Sequence, residues 1–246
     1  MQKDIISYHL MTLHRQIKPL GQCGDLQEAV RAYEQCLASF PQAGRAGSAD
    51  LPELLEELAQ LHHARGDSAA ALSALEQAIS HYHRLGRPYQ LRLAEALQQQ
   101  GALHQTAGNK PAALGRYEES LSILRQRAPS EAALLTIQAL KHMGCLHYEM
   151  QHFPEAIQCL EETLHLTEIY LPQQTAPVKL ETAAVATLAA AIRMSLPTNT
   201  VTTTRSTTQF ITLAEQYLDG LDGGDHLVDK RREELKYVKR VLEGLL

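Results

Sequence analysis

The feature that most constrains the fold of this chain is a short helical pattern that recurs at a nearly constant interval. Its four copies start at Gly24, Gly66, Gly108 and Gln151, which are 42, 42 and 43 residues apart. Each copy has an alanine five positions later (Ala29, Ala71, Ala113, Ala156), then a large residue (Tyr33, Leu75, Tyr117, Leu160), then a glutamate (Glu34, Glu76, Glu118, Glu161). Such a repeat predicts stacked units, because one unit cannot bury its own apolar face.

The repeated unit is predicted to be a helix, a tight turn and a second helix. Upstream of three turns, a small residue precedes a histidine by three positions, in the pairs Ala59 and His62, Gly101 and His104, and Gly144 and His147. A small side chain lets a neighbouring helix approach closely, and a large one fills the adjacent gap. A glycine at the turn can end the first helix in a left-handed conformation.

Capping residues support these boundaries. Asn109 and Pro111 are expected to open one second helix, and Pro154 another. Ser130, which follows Pro129, is expected to cap a first helix.

Composition narrows the class of partner. The chain has 246 residues, 44% of them apolar, and a formal net charge of -5. Nucleic acid is therefore not expected as the main partner, because duplex binding needs a basic face. The four cysteines, Cys23, Cys36, Cys145 and Cys159, show no C-x-x-C spacing and are expected to be reduced. Reduced cysteines predict a cytoplasmic protein, with an organelle as the alternative location. No apolar run is long enough for membrane insertion.

With these residues, the pattern resembles the tetratricopeptide repeat (TPR) family. Ala59, Gly101 and Gly144 match the small position of the family's first helix, and Tyr33 and Tyr117 match the aromatic of its second helix. The family's usual period is about 34 residues, so helices about one turn longer are expected here. This long form resembles the kinesin-light-chain-like subclass. The resemblance implies an all-α fold, a right-handed α-solenoid of TPR-like helical hairpins with a C-terminal capping helix.

Three segments are predicted along the chain. Residues 1–196 form the hairpin array, with about four clear repeats and a degenerate fifth that starts near residue 178. Residues 197–225 hold a threonine-rich loop, the second helix of the degenerate repeat, and a Gly/Asp linker. Residues 226–246 form a helix that either caps the array or docks a partner.

The sequence carries no motif that predicts an enzyme, a cofactor site or a metal site. The recurring histidines are expected to pack against neighbouring helices, and His62 and His63 point to different helix faces. Asp219, Asp222 and Asp225 lack the spacing of a calcium loop and are interpreted as a linker. The carboxylates are expected on helix surfaces, where nothing shifts their pKa towards catalysis.

The resemblance to TPR proteins also implies a groove, lined by the first helix of each repeat, in which partner segments lie. Carried over to this chain, the groove positions are His14, Lys18, Glu53, Glu56, Gln60, His63, Glu95, Gln98, Ala102, Gln105, Lys141, Cys145 and Tyr148. The Lys/Asn/Arg clamp of the chaperone-binding members is absent as a set, so binding of EEVD-type tails is not expected. The groove is expected to be basic at both ends and acidic and amide-rich in the middle.

Two hypotheses about function remain open from the sequence, and an enzyme ranks below both. The first is a non-catalytic adaptor or scaffold that binds a peptide or helix of another protein in the groove. The second is a structural subunit of a larger multiprotein assembly, which uses its convex faces and its C-terminal helix as well.

Overall fold

A computed structural model of the chain describes residues 26–39, 50–171, 175–196, 205–219, 221 and 225–245. Within these ranges the chain forms ten α-helices, one short 3₁₀ helix at Arg87–Tyr89, and no strand. The helices are α1 (Leu26–Ser39), α2 (Asp50–Ala64), α3 (Ser68–Leu85), α4 (Gln90–Thr106), α5 (Lys110–Leu124), α6 (Pro129–Glu149), α7 (Phe153–Tyr170), α8 (Ala176–Ser195), α9 (Thr207–Leu218) and α10 (His226–Leu245). The predicted all-α class is confirmed for these residues.

Consecutive helices pack as hairpins because small and large residues face each other across each pair. A methyl group added at Gly101 on α4 would lie 3.0 Å from the Tyr117 ring on α5. One added at Gly144 on α6 would lie 2.7 Å from the Leu160 side chain on α7. The small residue of the first helix therefore makes room for the large residue of the second, as the alternation in the sequence indicates.

The turns between paired helices share one hydrogen-bond pattern. Gly66, Gly108 and Gln151 have positive φ angles of 85°, 78° and 62°. The next residue donates its N–H to the carbonyl of the recurring histidine in every case: Asp67 to His62 (2.9 Å), Asn109 to His104 (2.9 Å) and His152 to His147 (2.8 Å). This is the Schellman ending of a helix. Gln151 thus occupies the position that glycine fills in the other two turns.

Side-chain caps start two of the three second helices that follow these turns, α3 and α5. The Asn109 side chain accepts a hydrogen bond from the Ala112 N–H at 3.3 Å, so the expected opening of α5 is confirmed. The expectation for Ser130 was wrong, because α6 already begins at Pro129, with Ala128 at the N-cap. Proline is favoured there because its ring fixes a helical φ angle and it brings no N–H that needs a partner.

The chain divides into two compact units, residues 1–126 and 127–246. In the described part of the first unit, α1 packs on α2, α2 pairs with α3, α3 packs on α4, and α4 pairs with α5. Each helix thus contacts mainly its neighbours in sequence, as in an α-solenoid. The fully buried side chains of this unit include those of Tyr33, Tyr82 and Tyr117.

The second unit contains the hairpin of α6 and α7, the hairpin of α8 and α9, and α10. Helix α8 packs on α7 and is rich in fully buried alanines, which allow close approach of its neighbours. Helix α9 begins with a capping box formed by Ser206 and Gln209. Helix α10 packs on α8 and α9 and buries Leu235 and Val238 in their shared core, as a capping helix does.

Candidate functional site

Helices α2 and α4, the first helices of two successive hairpins, face each other across a groove in the first unit. Arg92 on α4 links the two helices, because its guanidinium donates to Glu53 on α2 at 3.2 Å and to Glu95 on its own helix at 3.2 Å. Both carboxylates are among the predicted groove residues. Residues that meet across the groove are thus 39 positions apart at this point, not 42 as in equivalent repeat positions.

A pocket of about 270 Å³ lies in this groove, close to the C-terminal ends of both helices. Ala59, Leu75 and Leu103 are buried side chains that give it an apolar wall. The other lining residues are Gln60, His63, Gln99, Ala102 and Thr106. The structure therefore brings Gln60, His63 and Ala102, three predicted groove positions, into one concave site. Such a pocket, with an apolar wall and several polar groups at its rim, is typical of a binding site.

Glu56 lies one turn before Gln60 on α2 and is only 6% exposed. Burial raises the pKa of its carboxyl from an ordinary 4.5 to about 7. The Tyr82 hydroxyl beside it offsets part of this rise, because a hydrogen bond from the hydroxyl favours the ionised carboxylate. Glu95 and Glu53 contribute to this raised pKa, and Arg92 opposes them. Glu56 is therefore an exception to the expectation that the carboxylates lie on helix surfaces.

Gln98 lies inside the hairpin of α4 and α5 and does not line the pocket. It is 8% exposed, and its amide donates to the Ser120 hydroxyl at 3.1 Å, which in turn donates to the Ala94 carbonyl at 2.9 Å. This buried chain of hydrogen bonds joins the two helices of the hairpin, since buried polar groups need partners. The adjacent residue, Gln99, lines the pocket instead.

A larger groove of about 800 Å³ lies in the second unit among α6, α8 and α10. It includes Lys141 and Cys145, two further predicted groove positions, and Lys141 forms an ion pair with Glu181 on α8 at 3.1 Å. Burial raises the pKa of the Cys145 thiol, so the thiol form is favoured over the reactive thiolate. The sequence did not indicate that α10 lines this groove through Arg231, Glu233, Glu234, Tyr237 and Val238.

The remaining predicted positions are dispersed. Tyr148 on α6 is 42% exposed and its ring lies 6.0 Å from that of Phe153, outside both grooves described above. Gln105 on α4 is half-buried and does not line the pocket. His14 and Lys18 lie outside the described residues.

The recurring histidines take part in the hairpin turns. His62 is 6% exposed, and its ring lies within 3.3 Å of the Arg65 guanidinium. The rings of His147 and His152 lie 5.9 Å apart. Across the described ranges, no group of three or more His, Cys, Asp or Glu residues is arranged to hold a metal ion. Among the helices described, none combines the length and apolar character needed to cross a membrane.

A comparison with protein-family models and a comparison with solved structures both agree with this architecture. Residues 49–126, which hold helices α2 to α5, match a tetratricopeptide repeat family model. A search of curated protein sequences found no match.

Several solved structures share the fold at low sequence identity. A kinesin light chain-like protein of Podosopora anserina, with nearly identical TPR-like repeats, has a TM-score of 0.61 at 17% identity, with 85% of this chain and 94% of that chain covered. BtubC (BKLC) from P. vanneervenii has a TM-score of 0.64 at 16% identity, with 99% and 87% covered. The Pyrococcus horikoshii signal transduction ATPase with a tetratricopeptide repeat sensor reaches 0.75 at 11% identity, with 95% of this chain and 33% of that chain covered.

Sequence identities this low establish likeness of fold and no more. The family match covers the two hairpins around the pocket. The resemblance to tetratricopeptide repeat proteins, including those with kinesin-light-chain-like repeats, is thus confirmed by sequence over residues 49–126 and by fold over most of the chain.

Proposed function

We propose that this chain is a non-catalytic scaffold that holds a segment of a partner protein in the groove between α2 and α4. Tetratricopeptide repeats and the repeat proteins that share this fold support a role in protein interaction in general. The observation that carries the finer proposal is the 270 Å³ pocket, which lies where the family resemblance predicts partner contacts. Its size suits one apolar side chain of a partner, whose burial would stabilise the complex by about 1.5–3 kcal/mol.

The groove also offers polar groups for the partner's backbone. Gln60 is exposed at the rim of the pocket, and Gln99 and Thr106 face it from α4. Amide and hydroxyl groups can both donate and accept hydrogen bonds, so they can pair with the N–H and C=O groups of an extended or a helical segment. Such pairing matters because an unpaired polar group that becomes buried costs about 1–3 kcal/mol.

Quantitative affinity capture from the native cell tests this proposal with a matched pair of variants. Ala102→Arg places a long cationic side chain at the pocket and is expected to abolish capture of the partner. Ala69→Arg makes the same substitution at an exposed position on α3 and is expected to leave capture unchanged. Circular dichroism of both variants checks that the helical fold is kept. Equal capture by both folded variants would contradict binding at the pocket.

A second candidate is a structural subunit of a larger assembly, and exposed apolar side chains on α10 favour it. Tyr237 is 68% exposed and Leu227 is 53% exposed, and Tyr237 also lines the groove of the second unit. Aromatic residues are enriched in protein interfaces, so an exposed tyrosine beside a groove fits a contact with a neighbouring subunit. Co-purification that is lost in Tyr237→Ser but kept in Ala102→Arg would favour this candidate over the first.

A further inference from the structure

Among the described residues, the exposed large apolar side chains gather on the helices that wall the groove of the second unit. Five such side chains are exposed, and four of them lie on α6 or α10: Leu134 (54%), Tyr148 (42%), Leu227 (53%) and Tyr237 (68%). Tyr237 lines the groove itself. The other three lie seven positions, or about two helical turns, from a lining residue and so share its stripe: Leu134 and Tyr148 from Lys141, and Leu227 from Glu234. Apolar side chains gathered around one groove are typical of an interaction surface.

The floor of this groove is an apolar hollow beside Tyr237. Ala184, Leu188 and Ala191 recur at helical spacing along α8 and are half-buried. Because two of these three side chains are single methyl groups, the groove keeps a volume of about 800 Å³. Tyr237, on the α10 wall, is largely exposed. One face of the unit therefore carries a projecting aromatic side chain and, next to it, a hollow that is large enough to hold such a side chain.

The charges at this groove are balanced in pairs and favour no strongly charged partner. Lys141 pairs with Glu181 at 3.1 Å, Arg231 with Glu234 at 2.7 Å, and Glu233 with Lys236 at 2.7 Å. A strongly basic or acidic partner would find no excess of the opposite sign here. A second copy of the same face is equally balanced, so its approach does not press an excess of like charges together.

The size of the face also fits association between two copies. Helices α6, α8 and α10 have 21, 20 and 20 residues. At a rise of 1.5 Å per residue and a width of about 10 Å each, three such helices side by side span about 30 by 30 Å, or about 900 Å². An interface of standard size buries about 800 Å² on each partner. A second copy can therefore cover this face, whereas a single helical segment about 10 Å wide would cover about a third of it.

We propose that two copies of this chain associate through the face formed by α6, α8 and α10, with Tyr237 of each copy in the groove of the other. A face that carries both the projecting side chain and the hollow is self-complementary under a two-fold rotation, so both contacts form together and the assembly closes at a dimer. Tyrosine is enriched among the residues that dominate interface energies. This inference is independent of the pocket in the first unit, and it gives the second candidate function a definite neighbour, a copy of the same chain.

Sedimentation velocity of the full chain tests this proposal over about 1–100 μM, because interfaces of standard size bind with micromolar or higher affinity. The wild type is expected to shift from monomer to dimer within this range and to form nothing larger. Tyr237→Ser removes the projecting side chain and is expected to weaken dimerisation by about tenfold or more. Ile169→Ser, at an exposed apolar side chain on α7, is the matched control and is expected to dimerise like the wild type. Circular dichroism checks that each variant keeps its helical fold.

Mixing two defective variants tests the exchanged contact itself. Ala184→Arg fills the hollow and keeps Tyr237, whereas Tyr237→Ser keeps the hollow, so each variant alone is expected to be monomeric where the wild type is dimeric. An equimolar mixture restores one of the two contacts, in which Tyr237 of the first variant enters the hollow of the second. The mixture is therefore expected to contain heterodimers at a concentration at which neither variant dimerises alone.

The proposal is overturned by a wild type that stays monomeric at about 100 μM, by growth beyond a dimer, or by a dimer that Tyr237→Ser leaves intact. A mixture of the two folded variants that forms no heterodimer overturns it as well. Ala102→Arg, which blocks the pocket of the first unit, is expected to dimerise like the wild type. Failure of the scaffold function and failure of this inference are thus separate results, and loss of the dimer in Ala102→Arg would also count against the inference.

Discussion

Replacing Glu56 by glutamine is expected to stabilise the folded protein by an amount that grows as the pH rises. The folded state holds this carboxyl at a pKa of about 7 because it is buried, whereas the unfolded chain has the ordinary value of 4.5. Between these two values the folded state keeps a proton that the unfolded state has lost. The free energy of unfolding of the wild type therefore falls as the pH rises from about 4.5 to 7.

The magnitude follows from the same two pKa values. One pKa unit corresponds to about 1.36 kcal/mol, so the full penalty for ionising Glu56 in the folded state is about 3 kcal/mol at pH 8. At pH 5 most of the penalty is absent, and about 1 kcal/mol remains. Glutamine is neutral and nearly the same size as the protonated acid, so the variant does not carry this penalty at either pH.

Urea unfolding followed by far-ultraviolet circular dichroism measures the effect at pH 5 and pH 8. The free energy of unfolding of the variant is expected to exceed that of the wild type by about 1 kcal/mol at pH 5 and by about 3 kcal/mol at pH 8. Glu76→Gln, at an exposed position on α3, serves as the matched control and is expected to follow the wild type at both values. A difference between Glu56→Gln and the wild type that is the same at pH 5 and pH 8 would refute the reasoning.

Three further substitutions test the hairpins, with the free energy of unfolding as the measurement. Gly144→Ala is expected to destabilise by about 1–3 kcal/mol, because the added methyl group would lie 2.7 Å from the fully buried Leu160; an unchanged midpoint would contradict the close packing. Gln151→Gly is expected to stabilise by up to about 1 kcal/mol, since it removes a side chain from a left-handed turn; a loss of stability would argue against that conformation. Ser206→Ala is expected to cost about 1 kcal/mol by removing the capping box of α9, and Thr208→Ala, exposed on the same helix, is its control.

The hairpins could be predicted from the sequence because their determinants are local and repeated. The spacing of small and large residues indicated which side chains face each other, and Gly101 against Tyr117 follows that pattern. The turn at Gln151 was also found from its position in the repeat, although glutamine gives no signal of a left-handed conformation. Its backbone adopts that conformation because the hydrogen bonds of the Schellman motif and the packing of both helices determine it.

The details of the groove could be predicted only in part, because equivalent positions in successive repeats are not always the positions that meet. Gln60 and Ala102 are related by the repeat interval and both line the pocket, but the ion pair across the groove joins Glu53 to Arg92, 39 positions on. The stagger of neighbouring helices decides this difference. Gln99 reaches the pocket while Gln98 turns into the hairpin because consecutive side chains of a helix point about 100° apart.

Two other features depend on long-range packing that the repeat pattern does not encode. The burial of Glu56 arises because α2 is enclosed on several sides, and its sequence neighbours Leu54, Leu55 and Leu58 are also buried. The contribution of α10 to the groove of the second unit depends on where that helix packs after the linker. The sequence predicts that α10 caps the array or docks a partner, but it does not identify α8 and α9 as the helices on which α10 packs.

Photo-crosslinking from within the pocket tests the central claim most directly. The reactive amino acid p-benzoylphenylalanine is placed at Gln60, which is exposed at the rim of the pocket, and in a second protein at Ala69, which is exposed on α3. After irradiation in the native cell, mass spectrometry identifies the crosslinked peptide. The account predicts that one partner segment, carrying an apolar residue, is captured from position 60 and not from position 69. Capture of the same segment from position 69 alone, or of no protein from position 60, would contradict it.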